Sequence, residues 1–432
     1  MKLLRFDPNG VMGGACAVTP EQFEALCGRL AAQRDDMLQR STATWTGGFR
    51  MPEKLLTDYE SMRENSELGR VFRVANRLHD HLDAVAVIGD QDTLLGPAAL
   101  MRACCDPYHN ELSRSARGSK PRMYFACADF DNDATEGLSR RLAMGGNGPH
   151  AAEQRYAIIP IDSRQRHGLS SLAVATSMEV IGDQLAASLG AGAPRWIPKL
   201  LIPITPASGP VRAHADRRGC ERDFQFEDEL GGPLGVYSPA TLLPAALLGL
   251  DCIQFLVGAA AMNEHFLTTE FAENSVMQFV TIEAAIRQIH GASPSRLDVW
   301  TPALRGFGAW WECMMKAPLG RRESPGDGGV VHQVFVDAAR TDPLPVQSRE
   351  IATEIGIDCY SAPKSSKQAS AVVTLPDLMR SAFARNNEER CNAGQPTTHL
   401  NLPHIDMHTL GQLFQFTWLA RECLLTLHRE PS

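Results

Sequence analysis

Short apolar runs that alternate with helix-patterned stretches constrain this 432-residue chain most. Ala84–Gly89 (AVAVIG), Met123–Cys127, Tyr156–Ile159 and Lys199–Thr205 are nearly unbroken apolar segments, and Phe224–Phe226 is a shorter fifth. A strand with one wet face alternates polar and apolar residues, whereas a run without alternation suits a strand covered on both faces of a parallel sheet. Between the runs, Gly96–Cys105, Thr135–Met144 and Ser170–Leu189 carry helical spacing. Parallel neighbours need a crossover, and a right-handed helical one is the standard solution. The pattern predicts a doubly wound α/β domain over about 80–235, with its sheet built from the runs near 84–89, 123–127, 156–159 and 199–204.

The flanking regions read as mainly helical. Thr19-Pro20-Glu21-Gln22 is a capping-box start with proline at the first helical position, and Phe23, Leu26 and Leu30 come next at helix spacing. Further helices are expected over Pro52–Tyr59 and Glu67–Leu82, the latter with Leu68, Val71, Val74, Ala75 and Leu78 on one face. Beyond Pro239 the pattern gives helices over Leu242–Leu248, Cys252–Met262, Thr268–Ile289 and Pro302–Met315. A strand is expected over Val330–Val336, then closing helices over Leu375–Asn386 and Thr409–Leu427. Glu323–Gly329 and Ser361–Ser370 have loop composition. Three segments are expected: 1–75, helical and packed on the second domain; 76–240, a first α/β domain; and 241–432, a second α/β domain with C-terminal helices.

A formal charge of −8 without an extended Lys/Arg run argues against nucleic acid as a partner. No apolar run reaches the length of a membrane span, and Met1–Asp7 has no apolar segment behind its charge, so a cytoplasmic protein without membrane contact is expected. The eleven cysteines are odd in number, scattered and without C-x-x-C spacing, which points to buried thiols rather than disulfides or a zinc site. Adjacent Cys104 and Cys105, just before Asp106-Pro107, are read as core packing. Neither a metal nor a cofactor is expected.

Leu230–His265 reads LGGPLGVYSPATLLPAALLGLDCIQFLVGAAAMNEH. It is similar to the G-G-R-F-S-V-x-S-P-V-G-L-L-P-A-A-x-x-G-I-D segment of the glucose-6-phosphate isomerase family, sharing Gly231, Gly232, Ser238, Pro239, Leu242, Leu243, Pro244, Ala245, Ala246, Gly249 and Asp251. Arg50–Tyr59, Ser66–Gly69, Asp106–Leu112, Gln395–Thr398 and Thr409–Phe414 also resemble family segments, and they do so in family order from about residue 48 to 425. The resemblance implies two doubly wound, parallel-sheet sugar-isomerase (SIS-type) α/β domains with surrounding helices. It also implies aldose–ketose isomerisation of a sugar phosphate through a cis-enediol.

That chemistry needs a carboxylate to shuttle a proton, a cation for the enediolate, a basic group for ring opening, and amides and hydroxyls for phosphate. By family position each is altered here. Pro233 replaces the arginine after the two glycines. Ala317 in Trp310–Arg321 stands where the catalytic glutamate would be, with Glu312 and Glu323 too distant to substitute. The histidine region is shortened to Glu323–Gly329, and His332 is read as a strand residue. After Thr409–Phe414 the sequence continues to Thr426–Ser432 without the family's lysine.

The phosphate loop S-K-S-G-G-T is replaced by Pro160–Gly168, where Arg164 and Arg166 are read as solvated rather than as phosphate ligands. The I-G-I-G-G-S-x-x-G turn is replaced by Ile88–Gly96, with Asp90 and Asp92 added. No catalytic residue is assigned. The positions left for weak substrate binding, by family position, are Gly89, Thr93, Gly96, Gly231 and Gly232. The expectation is an inactive or reassigned isomerase homologue that binds sugar phosphate weakly and forms a homodimer, or a heterodimer with an isomerase. The helices around Ala259–Phe279 and Leu410–Leu424 suit a core or an interface. Two alternatives stand beside it: an isomerase that uses displaced residues, and a non-catalytic partner of an active isomerase.

Overall fold

The computed structural model describes residues 2–11, 19, 21, 26–28, 30–32, 34–36, 48–79, 81–144, 155–163, 167–226, 231–290, 295–319, 330–346 and 373–429. Pro20 and Gln22 of the expected capping box, Arg164 and Arg166, and the loops at Glu323–Gly329 and Ser361–Ser370 lie outside these residues. The chain divides into two compact units. One comprises 40–263 with 303–314, and the other 1–39, 264–302 and 315–432.

Strands are numbered in chain order: β1 (Arg5–Asp7), β2 (Ala84–Gly89), β3 (Arg122–Cys127), β4 (Tyr156–Pro160), β5 (Ile204–Thr205), β6 (Phe224–Gln225), β7 (Arg296–Val299), β8 (Val331–Val336) and β9 (Thr397–Leu402). In the 40–263 unit the order β3-β2-β4 is wholly parallel, with Ala84 opposite both Arg122 and Tyr156. All six β2 residues are buried, as an unbroken apolar run requires.

The run at 199–205 differs from its expectation. Lys199 and Leu200 finish the helix Ala193–Leu200, and the residues after it meet β4 only through parallel bridges at Leu201–Ile158 and Ile204–Ile161. Prolines explain this. Pro160 and Pro203 each lack an amide hydrogen, so the ladder is interrupted although Ile202 N still donates to Ile158 O (2.9 Å) and Asp162 N to Ile204 O (3.0 Å). β5 then pairs in parallel with β6.

Below the N-terminal ends of these strands, Asp83 is almost fully buried between Arg117 and Arg122. Arg117 Nη2 lies 3.3 Å from Asp83 Oδ1, and Arg122 Nη2 donates to Asp83 Oδ2. Burial pulls the Arg117 guanidinium below its usual range, and the Asp83 charge opposes that pull. The family-like segment Asp106–Leu112 belongs to the same structural end. Asn110 both donates to Met123 O (2.8 Å) and accepts from Met123 N (2.9 Å), acting as a side-chain substitute for a neighbouring strand.

Glu53, on the helix Met51–Met62, receives the Asn263 amide at 3.0 Å on both oxygens, while the same amide donates to Phe49 O at 2.6 Å. Burial raises the Glu53 pKa, and the Asn263 bond works against it. A carboxyl whose folded pKa exceeds its unfolded value favours folding at low pH, and that contribution is lost as pH rises through the folded value. Glu53→Gln is therefore expected to remove this loss. Compared with the parent across pH 4–7 in chemical denaturation, the variant should gain relative stability as pH rises, and a constant or shrinking difference would refute the assignment.

In the other unit the order is β1-β9-β8-β7, with β7, β8 and β9 parallel and β1 an antiparallel edge. β1, β7 and β9 are additions to the sequence expectation, because RFD, RLDV and TTHLNL interleave polar residues and so lack the apolar run that marks the others. The two helices expected over Cys252–Met262 and Thr268–Ile289 run instead over Cys252–Thr268 and Ser275–His290, so the break between them lies later in the chain. Asn274 separates them. Its amide donates to Phe266 O (2.9 Å) at the end of the first, and its carbonyl accepts from Met277 N (3.2 Å) at the start of the second.

His332 is a β8 residue, as read from the sequence, and is fully buried. Its Nε2 is 2.6 Å from Glu283 Oε1, and its Nδ1 is 2.6 Å from Thr398 Oγ1. Ser295 Oγ donates to the same Glu283 oxygen at 2.6 Å.

Candidate site at the strand ends

In an open parallel sheet the C-terminal strand ends form the natural ligand crevice. At the end of β2, Gly89 gives way to Asp90, which is extended and caps the helix Gln91–Cys104. The Asp90 carboxylate accepts from Thr93 N (3.0 Å), Thr93 Oγ1 (2.7 Å) and Ser163 Oγ (2.6 Å). This cap explains why the helix begins at Gln91 rather than at the expected Gly96. At the end of β4, Asp162 is 2% exposed and accepts from Ser171 Oγ at 2.6 Å, in the first turns of the helix His167–Leu189.

Three hydroxyls beside the crevice, those of Thr93, Ser163 and Ser171, therefore already donate to carboxylates of the chain itself. Sequence reasoning does not single out Asp162, Ser163 or Ser171. The available signal is their position directly after a buried strand and at the next helix start.

The charge at this end is negative. Cys127 closes β3, and burial pushes its thiol up, with Asp129, Asp90 and Asp92 pushing the same way. Among the described residues no group of three or more His, Cys, Asp or Glu side chains could hold a metal ion. No described helix is long and apolar enough to cross a membrane.

Of the residues assigned by family position, Gly89 and Thr93 lie at this strand end, and both are buried. A Cβ on Gly89 would meet nothing closer than 3.5 Å, so crowding does not require glycine there. A Cβ on Gly96 would sit 2.9 Å from Thr241 Oγ1, so this glycine lets the helix Gln91–Cys104 pack against the helix Pro239–Leu247. Gly231 and Gly232 enter the tight turn that ends at Tyr237, and Gly232 adopts φ +61°, where a side chain is strained.

Pro233 is held in that turn by Trp310 Nε1, which donates to its carbonyl at 2.9 Å. Ser238 caps the next helix, accepting from Ala240 N at 3.2 Å. The best-matched stretch of sequence thus consists largely of residues that set turns, caps and packing. Glu312 is exposed on the helix Arg305–Leu319, as is Ala317.

No protein-family model matches the chain. It is 23% identical over 372 residues to the glucose-6-phosphate isomerase of Bacillus cereus (strain AH187), covering 82% of this chain and 77% of that enzyme. It is 22% identical, with the same coverage, to the glucose-6-phosphate isomerase of Bacillus thuringiensis (strain Al Hakam). Among solved structures, a hypothetical protein from Thermus thermophilus superposes with a TM-score of 0.72 at 20% identity, covering 98% of this chain and 94% of that one. A glucose-6-phosphate isomerase from Chlamydia trachomatis superposes with a TM-score of 0.62 at 13% identity, covering 94% of this chain and 81% of that one.

Proposed function

We propose that this chain, a divergent homologue of the glucose-6-phosphate isomerases with the sugar-isomerase α/β fold, no longer carries out aldose–ketose isomerisation and is an inactive or reassigned member of that line. The observation that carries the reading is the consumption of the strand-end hydroxyls. Thr93 and Ser163 both donate to Asp90, at 2.7 and 2.6 Å. A phosphate dianion placed there would have to displace an existing carboxylate acceptor and approach its charge.

The reacting groups are altered as well. By family position Ala317 stands for the carboxylate and Pro233 for the arginine, while His332 is spent on Glu283 and Thr398 inside a sheet. Loss of a general base costs about 10²–10⁴ in rate, and loss of one electrostatic stabiliser costs about 10²–10³ more.

A coupled assay with fructose 6-phosphate, run beside a Bacillus enzyme, is expected to give turnover at least about 10⁴-fold lower. Turnover within about 10²-fold of that enzyme, abolished by Glu312→Gln, would overturn the proposal in favour of displaced catalytic residues. Isothermal titration with glucose 6-phosphate is expected to show no micromolar binding, because Asp90 and Asp92 add negative charge where the substrate's phosphate would sit. A micromolar dissociation constant would contradict this.

A further inference from the structure

The parallel-sheet unit has its charge reversed relative to what an anion-binding α/β domain needs. Its C-terminal strand ends carry Asp90, Asp92 and Asp129, whereas its N-terminal end carries a cationic cluster around one indole. Arg155 immediately precedes β4, and its backbone carbonyl accepts from Asp83 N at 2.9 Å, which fixes it at the foot of the sheet. Its guanidinium carbon lies 3.9 Å from the centroid of the Trp196 ring, on the helix Ala193–Leu200. Arg195 and Lys199 approach the same ring at 5.7 and 5.8 Å, and the His81 ring lies 5.7 Å away.

Cation–π attraction accounts for one such cation readily. Three around a single ring repel one another, and that arrangement favours an anion between them. None of Arg155, Arg195 and Lys199 forms an ion pair with a described residue within 4.0 Å; the carboxylate with an electrostatic effect from Lys199, Glu221, is bonded to Arg77 at 2.7 Å. Arg155 Nε is buried without a hydrogen-bond partner among the described residues. The neighbouring Arg117 and Arg122 share the carboxylate of Asp83, so this trio adds two guanidiniums against one carboxylate at the same end of the sheet.

We propose that the Trp196 cluster is a binding site for a multiply charged phosphate anion, placed at the opposite end of the sheet from the crevice used by open α/β folds. Arg155, Arg195 and Lys199 supply the charge, and bidentate guanidinium contacts suit phosphate oxygens. The indole gives a base or other planar group attached to the phosphate a surface to lie against.

Isothermal titration of the full chain with pyrophosphate and with ADP separates the two sources of binding. Both are expected to bind, with affinity that falls as salt is raised. Arg195→Glu combined with Lys199→Glu should weaken both by at least about tenfold, because a repulsive pair replaces an attractive one. Trp196→Leu should weaken ADP more than pyrophosphate if the ring receives the base, and both equally if the site reads phosphate alone; either result keeps the anion site. Absence of binding by both probes to the parent protein would overturn the proposal. So would unchanged affinity in the charge-reversed variant, whose two substitutions are outside the sheet core and whose fold is checked by its melting curve.

Discussion

Asp83→Ala is expected to destabilise the parallel-sheet unit by about 3–5 kcal/mol, because it leaves two buried guanidinium groups facing each other without their shared counter-charge. The carboxylate sits between Arg117 and Arg122, both under a tenth exposed, and each arginine contacts a different oxygen. Desolvation already opposes the Arg117 charge, so removal of Asp83 leaves that penalty uncompensated. The backbone of the same residue is kept in the variant: Asp83 O accepts from Arg122 N at 2.8 Å and Asp83 N donates to Arg155 O at 2.9 Å, which places the start of β2 between β3 and β4, so the loss reports the carboxylate alone.

Asp83→Asn keeps one acceptor oxygen for one guanidinium but turns a donor NH2 toward the other, so it should still be destabilising yet cost less than the alanine variant. Equilibrium denaturation measures both. A change below about 1 kcal/mol for Asp83→Ala, the range of exposed ion pairs, would mean that water replaces the carboxylate and that the site is not buried in solution.

How much of the fold is legible in the sequence depends on whether a residue's role is local. β2 and β4 are visible because strands covered on both faces have no polar residues to interrupt the run, and β3 shows the same apolar run although it is no more than half-buried from Tyr124 onward. β7 and β9 are not, because Arg296, Asp298, His399 and Asn401 break the run while the alternate residues Leu297, Leu400 and Leu402 are buried. The strand expected at 199–205 shrinks to β5, since apolar composition does not reveal that Pro203 withholds a ladder donor. Asn274 is one of several polar residues between Thr268 and Ser275, and nothing local marks it as the one whose amide divides two helices.

The candidate site is legible mainly as a set of substitutions. Asp90 and Asp92 are visible as charges in a glycine-rich turn, but not that Asp90 uses its oxygens on Thr93 and Ser163, since Ser163 lies 73 positions away. That geometry changes the meaning of a reversal. Asp90→Gly removes a repulsive charge, yet it also removes the side-chain cap of a helix, at a cost of roughly a few tenths of a kcal/mol for glycine, and frees two hydroxyls. Restored phosphate affinity in such a variant would have to appear despite a loss of stability, so binding and melting need to be measured on the same sample.

Glu283→Ala is expected to be the comparable lesion in the second sheet, with a loss of about 3 kcal/mol or more, because two buried groups lose their acceptor at once. Ser295 Oγ and His332 Nε2 both meet Glu283 Oε1 at 2.6 Å, and His332 is held from its other side by Thr398 Oγ1. The chain thus links the helix Ser275–His290 to β8 and β9 through side chains with almost no exposure to water. Phe279 covers the imidazole at 4.5 Å, which leaves little room for a replacing water.

His332→Leu removes the ring nitrogens and keeps an apolar side chain, so it should be milder than Glu283→Ala but still costly for Glu283. The double variant is the informative one. If the pair acts as one unit, Glu283→Ala with His332→Leu should cost less than the sum of the single losses by at least about 1 kcal/mol. Additive losses would mean that the histidine and the carboxylate stabilise the sheet independently, and the buried network would then be two separate contacts.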